Sequence, residues 1–152
     1  MNEYLQALVN KVFPKEVLLF SNGVFGLTFN NGVYDFASNV VGHTAFSVGT
    51  DLTATTDTNH IGTTLVSNDL VDFTNYNTVE MLTNFGTVTL DVSAFSGSGY
   101  LCVYSVFYGS KRHLGVCVSS AKQYFGNNAI DALDARVYPT SSSIAISKIT
   151  LK

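Results

Sequence analysis

Hydrophobic residues follow a clear helical period only at the start of the chain. The stripe falls at i, i+3, i+4 and i+7: Leu5, Leu8, Val9 and Val12. This spacing lines one face of an α-helix, and Pro14 ends it because proline cannot continue a helix. We therefore predict a helix over residues 1–12. A helix of about three turns is only marginally stable alone, so it must dock on the rest of its own chain or on another protein.

From residue 17 onward the pattern changes to short apolar runs separated by turn residues. These runs predict strands at residues 17–21, 24–29, 33–36, 45–48, 61–66, 78–82, 87–92, 100–107, 114–119 and 144–151. The Asn-Gly pairs at 22–23 and 31–32 predict tight turns, because both residues accept a positive φ. The last strand is expected to change face near Ser147 and Lys148. Residues 51–59 are interpreted as a loop or an edge strand.

The strand pattern is interrupted between residues 119 and 143. Asn127 or Asn128 could cap a short helix near 128–136, and Pro139 then leads back to the last strand. The fold class that follows is all-β: one antiparallel β-sandwich, jelly-roll-like, with a short N-terminal helix. We divide the chain into a helical anchor segment, residues 1–14, and a single sandwich domain, residues 15–152.

Composition and charge narrow the classes of partner. Of the 152 residues 46% are hydrophobic, which excludes a disordered chain, and only 12% are charged, against ~25% in ordinary soluble domains. None of the eight Lys and Arg residues lies between Val17 and Ser110. Proteins bind nucleic acids and anionic membranes through clusters of Lys and Arg side chains. We therefore expect neither a nucleic acid nor a membrane as a partner. The first residues carry no basic, apolar leader, and we expect folding in a cytoplasm.

The two cysteines fall on consecutive predicted strands. Residues 109–112, Gly-Ser-Lys-Arg, join these strands, and in a hairpin with a two-residue loop Cys102 and Cys117 would be cross-strand neighbours on one face. A disulfide is then within reach, but we favour buried thiols, because Cys is among the most buried residue types and a cytoplasm keeps it reduced.

Several motifs follow one another along the chain: LLFSNG at 18–23, VDFTNYNTV at 71–79, TVTLDVSAFSG at 87–97 followed by YLCV at 100–103, and SIAISKITL at 143–151. In that order they resemble the jelly-roll β-sandwich modules of tailed-bacteriophage virion proteins. The resemblance spans roughly residues 17–151, and the order and spacing of the motifs carry it. Such modules occur in tail, baseplate and head-fibre or decoration components.

The resemblance implies a structural protein rather than an enzyme. We expect a small accessory protein, a head decoration or tail-associated piece, that folds in the host cytoplasm and is displayed on the virion. Its partners would be other capsid or tail proteins and further copies of itself in a homo-oligomer. The apolar stripe Leu5, Leu8, Val9 and Val12 would be the anchor. The alternative is a carbohydrate-binding module for host-surface adhesion.

Catalytic and zinc chemistry find little support in the sequence. A hydrolase triad needs a histidine as its base, and the chain has only three: His43, His60 and His113. The Gly-x-Ser-x-Gly motif of a nucleophile elbow is absent from the sequence. His113 follows Lys111 and Arg112, where we expect a solvated turn. Cys102, His113 and Cys117 do not form a tight zinc cluster.

Calcium and glycans are the remaining ligand hypotheses. Five residues with side-chain oxygens that suit calcium lie in the region without Lys or Arg: Asp51, Asp57, Asn59, Asp69 and Asp72. No EF-hand loop is present. Solvated loop acids are the alternative, and we expect no obligatory cofactor. Tryptophan is absent, so the aromatic platforms for a sugar would be tyrosines: Tyr34, Tyr104, Tyr108 and Tyr124. Alternation along the strands places half of these tyrosines in the core.

Overall fold

Strands make up nearly all the regular structure in the part of the chain that the computed structural model describes. It describes residues 5, 16–35, 45–55, 61–95, 97–108, 110–122, 133–141 and 143–152, with the backbone only at 33–35, 61 and 108. The strands are β1 (Val17–Ser21), β2 (Val24–Phe25), β3 (Phe29–Asp35), β4 (Ser47–Val48), β5 (Leu52–Thr55), β6 (Ile61–Ser67), β7 (Val71–Asp72), β8 (Thr78–Thr83), β9 (Gly86–Asp91), β10 (Ser98–Tyr108), β11 (Lys111–Ser119), β12 (Leu133–Val137) and β13 (Ser143–Leu151).

The first sheet is built around the last strand, β13. Among the described residues it has seven strands. One edge of β13 pairs with β8, which pairs in turn with β9. The other edge pairs with β5 along its first half and with β1 along its second half, and β4 and β2 lie outside these two. The two-residue strands β2 and β4 therefore form a short, interrupted outer edge.

The second sheet has six strands in the described part of the chain, in the order β12-β11-β10-β6-β3, and β7 pairs with the beginning of β10. Every pairing in both sheets is antiparallel. The predicted all-β antiparallel sandwich is confirmed. The jelly-roll order of connections stays a prediction.

The main core lies between the two sheets, because alternate residues of each strand point inward. Leu101 and Val103 of β10 and Val116 of β11 are completely buried, as are Val79 and Met81 of β8. At one side of the sandwich β9 lies against β12. Asp72 and Asp91 follow the same alternation, since both acids are exposed between buried neighbours.

The predicted change of face in the last strand is confirmed. The pairing of β13 with β8 shifts register between Ile146 and Lys148. Ile144 and Ile146 before the shift, and Ile149 and Leu151 after it, are all buried. The extra residue lets both halves of the strand present their apolar side chains to the same core.

The first Asn-Gly pair forms the predicted turn and the second does not. Asn22 and Gly23 have φ values of 51° and 77° and connect β1 to β2. The predicted turn at Asn31 and Gly32 is wrong, because both residues lie inside β3 and pair with β6. The Asn31 side chain instead donates to the Phe46 carbonyl oxygen (2.8 Å) and accepts from the Phe46 N–H (3.0 Å).

The helix predicted near 128–136 is wrong at its C-terminal end. Leu133–Val137 is the strand β12, and it pairs with β11 from Val118 to Leu114. Leu133, Ala135 and Val137 pack against the main core. Residues 128–132 lie outside the described residues.

The predicted N-terminal helix lies almost wholly outside the described residues. Leu5 is helical and 46% exposed, while Leu8, Val9 and Val12 are not described. The anchor stripe and the boundary at residue 14 therefore stay predictions. In the part of the chain that the structure describes, no helix has the length and apolar character needed to cross a membrane.

Candidate functional site at the β10–β11 turn

A second cluster of buried side chains lies on the face of the six-stranded sheet that points away from the main core. It comprises Val66, Cys102, Tyr104, Val106 and Cys117. The strand period explains the placement, because these residues alternate with core-facing neighbours on β6, β10 and β11. Polar residues of β11 and β12 lie on the same face and make this cluster different from an ordinary apolar layer.

Tyr104 is held at the centre of this face by a glycine opposite it. Tyr104 pairs with Gly115 across β10 and β11. A methyl group on Gly115 would lie 2.6 Å from Tyr104 Cζ and 2.6 Å from the carbonyl oxygen of Ala135, and the Tyr104 hydroxyl would be closer still. The tyrosine ring therefore crosses the backbone of β11 where only a glycine leaves room.

The Tyr104 hydroxyl begins a chain of polar contacts. It donates a hydrogen bond of 2.6 Å to Oδ1 of Asp134 on β12. The other carboxylate oxygen of Asp134 forms an ion pair with Arg136. Nη1 of Arg136 lies 3.0 Å from Nδ1 of His113. Because a guanidinium can only donate, His113 must accept through Nδ1, which places the proton of the neutral ring on Nε2.

Burial and neighbouring charges shift the pKa values of Tyr104 and Arg136. Burial, followed by the charge of Asp134, raises the pKa of Tyr104 far above its ordinary value, so the phenol stays a neutral donor. Burial lowers the pKa of Arg136, but the nearby Tyr104 and Asp134 raise it, and the net shift is upward. Around neutral pH Tyr104 therefore stays neutral and Arg136 stays charged.

The contacts continue from His113 to the end of the hairpin. The His113 ring meets the Tyr138 ring edge-on, with centroids 5.1 Å apart. Lys111 Nζ lies over the same tyrosine ring, 5.3 Å from its centroid. Tyr138 is 56% exposed, so the ring is supported from the protein side and open to solvent.

A cleft of about 360 Å³ lies at this end of the sandwich. The described residues that line it are Phe107, Ser110, Lys111, Arg112, Tyr138, Pro139, Thr140 and Ser141. We call it the hairpin cleft. Two of these residues are cationic and none is acidic. The arrangement supplies positive charge, hydroxyl groups and an aromatic face, which is chemistry for recognising an anionic ligand.

Arg112 is unusually enclosed for a residue beside a turn. It is 6% exposed, and its guanidinium lies 5.5 Å from the centroid of Phe107. His113 is 8% exposed. The predicted solvated turn at these two positions is therefore wrong, because Arg112 packs along the aromatic ring and His113 joins the network of Arg136.

The cysteine prediction is confirmed. The two-residue connection makes Cys102 and Cys117 direct cross-strand partners, and both are buried thiols. Burial and the adjacent Cys117 raise the pKa of Cys102 well above its ordinary value. The protonated thiol is a poor nucleophile.

A second surface feature lies at the opposite edge of the six-stranded sheet, along β3. It is an apolar groove of about 520 Å³, lined in the described chain by Phe25, Gly26, Leu27, Thr28, Phe29, Asn31, Val48 and Leu65. We call it the edge groove. Phe25 stacks at a tilt against Phe20 and Phe29, with centroid distances of 5.0 and 5.7 Å. The groove is open because β2 and β4 are only two residues long.

Of the four tyrosines predicted for a glycan, the structure describes only the side chain of Tyr104. Tyr104 is completely buried, so the prediction that its ring stacks on a sugar is wrong. The side chains of Tyr34 and Tyr108, and the whole of Tyr124, lie outside the described residues. The exposed aromatic of the hairpin cleft, Tyr138, was not among the predicted residues.

The structure describes three of the predicted calcium ligands, Asp51, Asp69 and Asp72. In the described chain no group of three His, Cys, Asp or Glu residues is placed to hold a metal ion. Asp72 instead accepts hydrogen bonds from the backbone (3.0 Å) and hydroxyl (2.6 Å) of Thr74. Asp51 and Asp69 lie on other loops, and Asp57 lies outside the described residues, as do His43 and His60.

The sequence held a signal for the hairpin cleft that we interpreted differently. Lys111 and Arg112 are the first bases after a long base-free stretch, and this clustering marks a local positive charge in an acidic chain. The contribution of Tyr138 could not be seen, because its position depends on β12 pairing with β11.

The comparisons with known proteins give no relative. No protein-family model, no curated protein and no solved structure matches the chain.

Proposed function

We propose that the chain is a structural protein of a tailed-bacteriophage particle. In this proposal it folds in the host cytoplasm and is displayed on the virion as a head-decoration or tail-associated sandwich. Contacts with other virion proteins hold it there, and it assembles as a homo-oligomer. The motif order that resembles phage sandwich modules supports the proposal, and so does the low share of charged residues, 12%.

The observation that carries the proposal is the open apolar edge of the sandwich. Val24 is 69% exposed and Val48 is 48% exposed, and Val48 lines the edge groove. The chain segments that carry the two valines approach each other, since a methyl group on Gly23 would be 2.9 Å from the carbonyl oxygen of Gly49. Exposed apolar residues beside an apolar groove are typical of surfaces that another protein covers.

The short edge strands suit the docking of an apolar segment from a neighbouring virion protein. At ~25 cal/mol per Å², burial of each exposed valine stabilises the complex by about 1–2 kcal/mol. Phe25 and Leu27 in the groove add to this. Contacts of this kind hold a protein in an assembly without any chemical reaction.

The test compares incorporation into particles. The chain is expected in density-purified virions, and Val24→Asp and Val48→Asp should fold normally but be depleted from the particles. Deletion of residues 1–13, which removes the predicted N-terminal anchor, should leave a folded sandwich that no longer joins the particles. Thr87→Asp is the matched control, since Thr87 is an exposed strand residue on β9, away from the groove.

Absence of the wild-type chain from purified particles would overturn the proposal. Equal incorporation of the Val48→Asp and Thr87→Asp variants would show that the edge groove does not hold the protein in the particle. The alternative function, a carbohydrate-binding module for host adhesion, is favoured by a different feature, the hairpin cleft.

A further inference from the structure

We propose that the hairpin cleft binds an acidic saccharide, a sugar that carries a carboxylate. Lys111 would bind the carboxylate, Arg112 would add positive charge at the wall of the cleft, and Tyr138 would contact the sugar ring. This site goes beyond a structural role in a particle and does not depend on it.

The charge distribution is the first argument. The chain has a net charge of −3, yet two of its eight bases line one cleft, and no acid does so among the described lining residues. The nearest described acid on β12, Asp134, is already paired with Arg136. The local field therefore favours an anion against the net charge of the protein.

The preorganisation of the cationic groups is the second argument. Arg112 is nearly buried, and its guanidinium lies against the Phe107 ring. A guanidinium held in this way keeps its positive charge fixed at the wall of the cleft, so little conformational entropy is lost there when an anion binds. Lys111 adds a second charge from the solvent side.

The aromatic and hydroxyl groups are the third argument, because they favour a sugar over a simple anion. Tyr138 is fixed by the edge of His113 and keeps more than half of its surface exposed. Ser110, Thr140 and Ser141 line the same cleft. Hydroxyl side chains both donate and accept hydrogen bonds, as sugar hydroxyls require. The cleft volume of about 360 Å³ lies within the usual range of small-ligand sites.

The chain offers a matched control for the lysine. Lys122 Nζ lies over the Tyr100 ring at 5.4 Å from its centroid, almost the same geometry as Lys111 over Tyr138. Tyr100 lies at the other end of β10 from the hairpin cleft. Lys122→Glu therefore changes the same charge in the same kind of contact, outside the proposed site.

Binding is measured by NMR titration and calorimetry with digalacturonate, 3′-sialyllactose, lactose and acetate. We expect the two acidic saccharides to bind at least about tenfold more tightly than lactose or acetate, and to weaken with added salt. Lys111→Glu and Tyr138→Ala should each weaken this binding by about tenfold, while Lys122→Glu leaves it unchanged.

Each other result overturns the proposal in a defined way. Equal binding of acetate shows an anion site with no sugar recognition. Equal binding of lactose shows that the charge is not used. No binding of either acidic saccharide, or an equal loss in Lys122→Glu, removes the site. Unchanged circular dichroism and melting of each variant show that lost binding is not lost folding.

Discussion

Gly115→Ala is the sharpest test of the packing behind the candidate site. The added methyl group would lie 2.6 Å from Tyr104 Cζ and 2.6 Å from the Ala135 carbonyl oxygen, well inside van der Waals contact. Tyr104 is completely buried, so its ring has no solvent-filled space into which it could move. The substitution must either displace the ring or separate β11 from β12.

The magnitude follows from two contributions. Overpacking of a tightly filled site costs about 1–3 kcal/mol. Displacing the ring also breaks the 2.6 Å bond from Tyr104 to Asp134, and a hydrogen bond to a charged group contributes about 1.5–3 kcal/mol. We therefore expect a loss of about 3–5 kcal/mol in the free energy of unfolding. With a urea m-value of about 2 kcal/mol per M, the unfolding midpoint falls by about 1.5–2.5 M.

Gly32→Ala is the matched control for this experiment. Gly32 is also a strand glycine of the six-stranded sheet, but a methyl group there would meet nothing within 4 Å. Its replacement by alanine should leave stability unchanged or raise it by up to about 1 kcal/mol, because the unfolded chain loses freedom. Equal midpoints for the two variants in urea denaturation would refute the packing of Tyr104 over Gly115.

Three other consequences of the observed contacts can be measured. Cys102 and Cys117 should not react with a thiol reagent in the native protein, whereas both should react in urea; fast native labelling would contradict their burial. Tyr104→Phe should lower the free energy of unfolding by about 1–3 kcal/mol, because the half-buried Asp134 carboxylate loses a hydrogen-bond donor; an unchanged urea midpoint would contradict the bond. Hydrogen bonds lower the pKa of Asp72 and Asp91 in the folded state. The two carboxylates therefore stabilise the folded protein at any pH above their pKa in the unfolded chain, and this stabilisation is lost as the pH falls through their pKa in the folded protein. The double variant Asp72→Asn, Asp91→Asn should therefore lose less stability than the wild type between about pH 5 and pH 2, measured by thermal melting; an identical loss in both proteins would contradict these hydrogen bonds.

Local sequence patterns were sufficient to predict those elements whose structure depends on residues close by in the chain. The turn at Asn22 and Gly23 needs only positive φ values, which these residues accept. The alternation in β13 and its change of face near Lys148 were visible in the apolar spacing. The partnership of Cys102 with Cys117 follows from the length of one loop.

The wrong predictions depend on distant partners or on a competing pattern. Asn31 stays in a strand because its amide satisfies the backbone of Phe46, 15 residues away, and no local rule shows that contact. The strand β12 did have a sequence signal, since Leu133, Ala135 and Val137 alternate. The preference for a helix there came from an asparagine cap and overlooked this period of two.

The candidate site was only partly accessible from the sequence. Clustered bases mark its charge, but its aromatic residue, Tyr138, follows a strand that was not predicted. The burial of Tyr104 could have been suspected from its place in an apolar strand. Its role required knowing that Gly115 and Asp134 lie opposite it.

The most direct test of the proposed function is cryo-electron microscopy of purified phage particles that carry a labelled copy of the chain. The account predicts density for the sandwich with the edge around Val24 and Val48 against a neighbouring virion protein. It also predicts that the hairpin cleft, with Lys111 and Tyr138, faces the solvent. Failure to find the labelled chain in the purified particles would contradict the account. A sandwich bound with its hairpin cleft buried and its edge groove exposed would contradict it as well.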